Sequence, residues 1–182
     1  MNSIETIRKK VTACTKCELC EGRTNSVPGK GDEKSQVIFV GEAPGRSEDK
    51  HGEPFVGSAG KRLSLALEYA GVTRDSVYIT NIVKCRPPNN RVPNNDERKK
   101  CSSYLNAEIS LIKPKIICVM GNTAFKSLLG GDNITKHRGK IMKKDNQEYF
   151  ITIHPAATIY NQSLLPLLKK DMKKLFKILA EK

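Results

Sequence analysis

The sequence contains no tryptophan, and five phenylalanines with five tyrosines bring aromatics to only 5%. A surface that holds single strands by stacking many bases on aromatic platforms is therefore not expected. No stretch reaches the roughly 18 consecutive apolar residues of a membrane-crossing helix. The opening Met1-Asn2-Ser3-Ile4-Glu5-Thr6 has no apolar signal core, so export is not expected either. Acidic side chains are scarce: 19 Asp plus Glu stand against 32 Lys plus Arg, a formal net charge of +13. Such an excess suits a polyanion or an anionic surface. Neither an internal repeat nor a low-complexity tract is visible.

What is present is the length of one domain. We read residues 1–182 as a single unit, with residues 1–35 an N-terminal extension packed on the rest. A chain of this size buries enough surface to need no disulfides. In a chain expected in the cytoplasm, its six cysteines point first to metal or redox chemistry.

Four short apolar runs rich in β-branched residues stand out: Val37–Val40, Val77–Thr80, Ile116–Val119 and Tyr149–Ile153. Unbroken runs of this length read as strands buried on both faces of a parallel sheet. Helical patterns separate them. Ser58 is placed to cap a helix with Leu63, Ala66, Leu67 and Ala70 on one face. Asn94 or Asn95 caps another, with Cys101, Tyr104, Leu105, Glu108 and Ile112 along one side. A shorter helix spans Asn122–Leu129. A last amphipathic one, about Ser163 to Ala180, faces Lys169, Lys170, Lys173, Lys174 and Lys177 to solvent. The alternation predicts a three-layer α/β/α sandwich with a mostly parallel four-stranded sheet.

Each predicted strand ends in small or polar residues: Gly41-Glu42-Ala43-Pro44-Gly45, Asn81, Gly121-Asn122 and His154-Pro155-Ala156-Ala157. Open parallel sheets bind ligands beyond their strand carboxyl ends. A carboxylate, an amide and an imidazole are thereby expected to converge, which is the outline of an active site. Ser58-Ala59-Gly60-Lys61 suggests a phosphate loop. Phe55 stands where that loop needs glycine and Arg62 where it needs Ser or Thr, so a nucleotide-dependent enzyme is set aside.

Cys14-x-x-Cys17 is a chelating pair that Cys20 extends, Cys85 ends a strand, and Cys101 lies within a helix. Two distant pairs suit a tetrahedral zinc or an iron–sulfur cluster, and spacing decides neither between them nor on Cys20. Cys118 sits inside an apolar strand and reads as structural. Arg86, Arg91, Arg98, Lys99 and Lys100 make the adjoining segment basic, as for a nucleic-acid surface. A non-catalytic, metal-stapled nucleic-acid-binding module is the competing reading of these features.

With these residues in view, the sequence resembles the family 4 uracil-DNA glycosylases, the iron–sulfur branch of that superfamily, over essentially its whole length. Gly41-Glu42-Ala43-Pro44-Gly45 with Glu48-Asp49 resembles the first motif, and Gly52–Gly60 the stretch with the base-stacking phenylalanine. Thr80–Pro88 resembles the strand with the uracil-reading asparagine, and His154-Pro155-Ala156-Ala157 the last catalytic motif. The resemblance implies Glu42 and His154 as catalytic residues, with Gly41, Ala43, Phe55, Asn81 and Glu48 binding substrate, Glu48 as a wall against the thymine methyl. It further implies a structural [4Fe-4S] cluster on Cys14, Cys17, Cys85 and Cys101, with Cys20 a bystander.

The activity implied is a repair glycosylase that flips uracil out of DNA and hydrolyses its N-glycosidic bond, leaving an abasic site. The expected partner is uracil-containing DNA, single- or double-stranded, met by a monomer in the cytoplasm, nucleoid-associated in a prokaryote, with no membrane involved. The helix start at Ser58, with Gly57 and Gly60 leaving its amides open, is a candidate phosphate site. Thr158-Ile159-Tyr160-Asn161 stands where the family often has a Leu-Arg pair, in the segment expected to wedge into DNA.

Overall fold

The computed structural model describes residues 3–182; Met1 and Asn2, the first residues of the stretch read as lacking a signal core, lie outside it. The strands are β1 (Lys30–Gly31), β2 (Val37–Gly41), β3 (Tyr78–Asn81), β4 (Ile116–Met120), β5 (Ile141–Lys144) and β6 (Gln147–Thr152). The helices are α1 (Ile4–Thr12), α2 (Arg46–His51), α3 (Ser58–Tyr69), α4 (Asn95–Ile112), α5 (Asn122–Leu129), α6 (Ile134–His137), α7 (Ala157–Tyr160) and α8 (Leu165–Ala180). They build one sheet of order β1-β3-β2-β4-β6-β5, with helices on both sides.

The four expected strands are the parallel centre, β3-β2-β4-β6. Alternate residues serve opposite cores. Ile38, Val40, Ile117, Val119 and Ile151 pack with α1, α4 and α5, whereas Val37, Phe39, Ile116, Cys118 and Phe150 pack with α3 and α8. Cys118 is thus a core residue, as its setting suggested. The sheet has six strands, not four, because an antiparallel strand closes each edge. β1 is two residues long, and β5 ends in exposed Lys143-Lys144, so neither carries an apolar run. Asp145 and Asn146, both at left-handed φ (50° and 63°), make the tight turn from β5 into β6.

The N-terminal extension holds a helix that periodicity over the whole segment did not suggest. Ser3 caps α1 by accepting from the Thr6 N–H, and Ile4, Ile7 and Val11 bury one face. Asn94 caps α4 reciprocally with Glu97. Ser58 is the first residue of α3 rather than its cap, and Gly57 precedes it. α8 starts at Leu165, after a 3₁₀ turn over Gln162–Leu164. Its Lys169 and Lys173 ammonium groups lie 5.4 and 6.0 Å from the Tyr69 ring centre. Among the described residues no helix is long and apolar enough to cross a membrane.

β2 has β3 on one side and β4 on the other, so the chain reverses its direction of travel across the sheet there. The crevice beyond these strand ends is where such a sheet offers a ligand site.

Candidate active site and cysteine pocket

Gly41 ends β2 in register with Asn81 at the end of β3. A side chain on Gly41 would put its Cβ 2.5 Å from Asn81 Oδ1 and 2.6 Å from Phe55 Cζ. Glycine is required because amide and ring both close over this backbone. Asn81 is 1% exposed, and its Oδ1 is buried with no hydrogen-bond partner among the described residues. A buried acceptor of this kind ordinarily finds a donor, so the site is shaped to receive one.

Phe55 is held at φ 53°, a left-handed backbone that costs a non-glycine residue about 1–3 kcal/mol. Several groups enforce it. Arg74 Nη2 donates to the Pro54 carbonyl at 2.5 Å, and Gly60 leaves room for the Phe55 carbonyl, which any Cβ there would meet at 1.7 Å. The Phe55 ring centre lies 5.6 Å from that of His154, with the planes tilted by 34°. Gly41, Phe55, Asn81 and His154 are thereby brought together.

His154 follows β6. Its Nδ1 accepts from the Ala156 N–H at 3.2 Å, so the proton of a neutral ring belongs on Nε2. Burial pushes its pKa down from 6.5 to about 4, against a smaller opposing pull from the Glu48 carboxylate. At neutral pH this residue is an uncharged hydrogen-bond donor. Glu42, just past β2, accepts from the Thr123 hydroxyl on the first turn of α5. Thr123 was missed in the sequence, although it lies two residues beyond Gly121, at a strand end that had been singled out. Ala43 packs, partly buried, against the core on the α4 side.

Glu48 and Asp49 are buried. Glu48 Oε1 accepts from Gly57 N at 2.7 Å and Oε2 from Gly45 N at 3.1 Å. The carboxylate braces the loop that carries Phe55. The Gly57 amide, expected to be open to phosphate, is therefore occupied, and the space at Gly60 is filled by the Phe55 carbonyl. Asp49 Oδ1 receives the N–H groups of Thr24 and Asn25 and ties the N-terminal extension down.

Cys14, Cys17, Cys85 and Cys101 line one pocket, joined by Cys20, Val11, Leu19 and Tyr104. Arg23 donates to Cys85 Sγ at 3.0 Å, and the Lys84 N–H to Cys101 Sγ at 3.3 Å. Among the described residues no three His, Cys, Asp or Glu side chains converge as ligands of a single metal ion. Burial raises the Cys17, Cys85 and Cys101 thiols, the last to about 11. Within the basic segment nearby, Arg91 is taken up by a two-pronged pair with Glu97, and Lys100 pairs with Asp96.

The sequence profile of the Uracil DNA glycosylase superfamily matches residues 28–180. The chain belongs to this superfamily. A type-4 uracil-DNA glycosylase of Sulfurisphaera tokodaii is 49% identical, covering 96% of this chain and 84% of its own. That of Archaeoglobus fulgidus is 40% identical over 100% and 96% of the two chains. A type-5 uracil-DNA glycosylase of Pyrobaculum aerophilum stands further off, at 29% identity over 76% and 69%. For this member of the superfamily, the match embraces the strand-end residues together with Cys85 and Cys101, while Cys14 and Cys17 lie before it.

Proposed function

We propose that this chain excises uracil from DNA at the strand-end site, with each residue in a role its surroundings support. The observation that carries the reading is the buried, unpartnered Asn81 amide oxygen beside the Phe55 ring, which in turn lies against the ring of a neutral His154. Uracil offers an N3–H to that oxygen and its 4-carbonyl to the amide NH₂. Cytosine presents the opposite pattern at both positions, so a fixed amide separates the two bases. Phe55 stacks on the flipped base, whose removal from the helix costs a few kcal/mol.

In the reaction the C1′–N1 bond breaks and its electron pair leaves with the base. Charge then grows on the uracil carbonyl oxygen, where the His154 Nε2–H donates a hydrogen bond. Glu42, held by Thr123, faces the cationic sugar and holds the water whose oxygen bonds to C1′ as one of its O–H bonds breaks, the proton leaving through solvent to balance the departed uracil anion. Gly41 and Ala43 supply the backbone floor. Glu48 serves the substrate through the loop it braces, a support beside the role of methyl wall expected of it.

The same proposal assigns a [4Fe-4S] cluster to Cys14, Cys17, Cys85 and Cys101. Four cysteines lining one pocket suit a cluster, and the N–H donors from Arg23 and Lys84 suit sulfur ligands. Its contribution is structural: it joins the N-terminal extension to α4. We take residues 1–182 as one glycosylase domain, acting as a monomer on DNA in the cytoplasm, nucleoid-associated in a prokaryote.

The test is a set of labelled oligonucleotides, each carrying one uracil, thymine or cytosine at the same position, incubated with protein and then alkali. Breakage at uracil alone is expected, with visible absorbance from the cluster. Cluster-containing protein that breaks none of them would leave only a DNA-binding module.

A further inference from the structure

Glu108 lies on the stripe of α4 that also carries Cys101, Tyr104 and Leu105, a carboxylate on a buried face. It meets Lys84 there, Nζ to Oε2 at 2.7 Å, with the two side chains 1% and 0% exposed. A sealed ion pair generally adds no stability over an apolar pair of the same volume. Its presence calls for a role beyond holding the fold, and its partners show where to look.

Lys84 Nζ donates to Glu108, to the Thr80 hydroxyl and, at 3.0 Å, to the main-chain carbonyl of Asn81. Glu108 in turn accepts from Thr80 Oγ1 at 2.9 Å, the Gly29 N–H at 3.0 Å and the Tyr78 hydroxyl at 3.3 Å. Every proton of the ammonium is thereby used, as are the carboxylate's acceptor positions. Such fully satisfied networks are rigid. The point they grip is the exit of β3, where the next residue's N–H, from Ile82, donates to the Gly41 carbonyl at 2.9 Å. The Asn81 peptide is therefore pinned from both sides, while its side-chain oxygen has no hydrogen-bond partner among the described residues. No hydrogen bond to that oxygen aims it, so its direction depends on the backbone and on packing against Phe55 and Gly41.

We propose that Lys84 and Glu108 are positioning residues for Asn81, fixing the peptide from which the amide projects and so setting the preference for uracil over cytosine. This rests on the reading of Asn81 given above. Burial and the neighbouring Glu108 carboxylate raise the Tyr78 phenol, so Tyr78 remains a donor to the network at any working pH. The contact to Cys101 runs through the Lys84 main-chain N–H, not its side chain. Replacing the side chain leaves that contact in place and separates base reading from the cysteine pocket.

The test is Lys84→Met/Glu108→Gln, which removes both charges at nearly constant volume. The variant is expected to melt cooperatively, retain its iron and visible absorbance, and bind a uracil oligonucleotide with unchanged KM. Its kcat should fall by about 100-fold, the scale at which an ångström of misplacement tells. The preference for uracil over cytosine should fall by about tenfold or more. In an Asn81→Ala background the same substitutions should add no further loss, which a merely structural pair would not predict.

A folded double variant with unchanged kcat and preference overturns the proposal. If Asn81→Ala itself keeps the preference, the reading of Asn81 fails and this proposal falls with it. If Asn81→Ala loses the preference while the pair variant keeps it, only the positioning role fails. Should the pair variant not fold, Thr80→Val removes the hydroxyl joining both charges while keeping the pair, and must show the same loss at smaller size. Unchanged preference in Thr80→Val overturns the proposal equally.

Discussion

Burial holds the His154 pKa below its ordinary value, so its ring stays neutral, with the proton on Nε2. This has a consequence for stability. The folded pKa, about 4, lies below the ordinary 6.5, so between these values the unfolded chain holds a proton that the folded chain refuses. Stability is accordingly full above pH 6.5 and falls as pH drops through 6.5 towards 4. Denaturant titrations across that window are expected to show a shallower fall in His154→Asn than in the parent protein; equal slopes would mean that the ring is not held neutral. Glu42, Asn81 and His154 were legible because a parallel sheet collects its strand ends, and those ends can be counted in sequence. Thr123 and the bracing use of Glu48 were not, since both depend on the path of loops between elements.

At the scale of elements, the central strands were readable as apolar runs because both their faces are buried. The edges were not: β5 shows its lysines to solvent, and β1 is only two residues long. α1 escaped for a different reason, since three buried residues in nine give a pattern easily lost beside the cysteines that follow. α7 begins three residues after His154 and presents Ile159 at 38% and Tyr160 at 90% exposure, an apolar edge close in sequence to the proposed catalytic histidine. A side chain so placed is suited to enter the gap left by a flipped base. Tyr160→Ala is expected to slow uracil release from duplex DNA by about tenfold, the worth of one stacked aromatic, and to leave single strands nearly unaffected. Rates on both substrates can be read from one gel series, and equal effects on the two would remove α7 from that role.

Across the whole molecule, the features apparent from composition serve one arrangement. The +13 charge faces a polyanion, and affinity for DNA then weakens with salt as counterions are released. The cysteine pocket and the Asp49 contacts hold the N-terminal extension against the sheet, and the Lys84–Glu108 pair joins that extension to the end of β3. In the proposed reading the strand ends present amide, carboxylate and imidazole to a single base. The most direct measurement of this account is the single-turnover rate of uracil release by Glu42→Ala/His154→Ala, compared with the parent protein under saturating enzyme. Loss of at least about 1,000-fold, with circular dichroism, iron content and DNA affinity unchanged, is the predicted result. A folded, cluster-containing double variant that still releases uracil at the parent rate would place the chemistry elsewhere in the molecule.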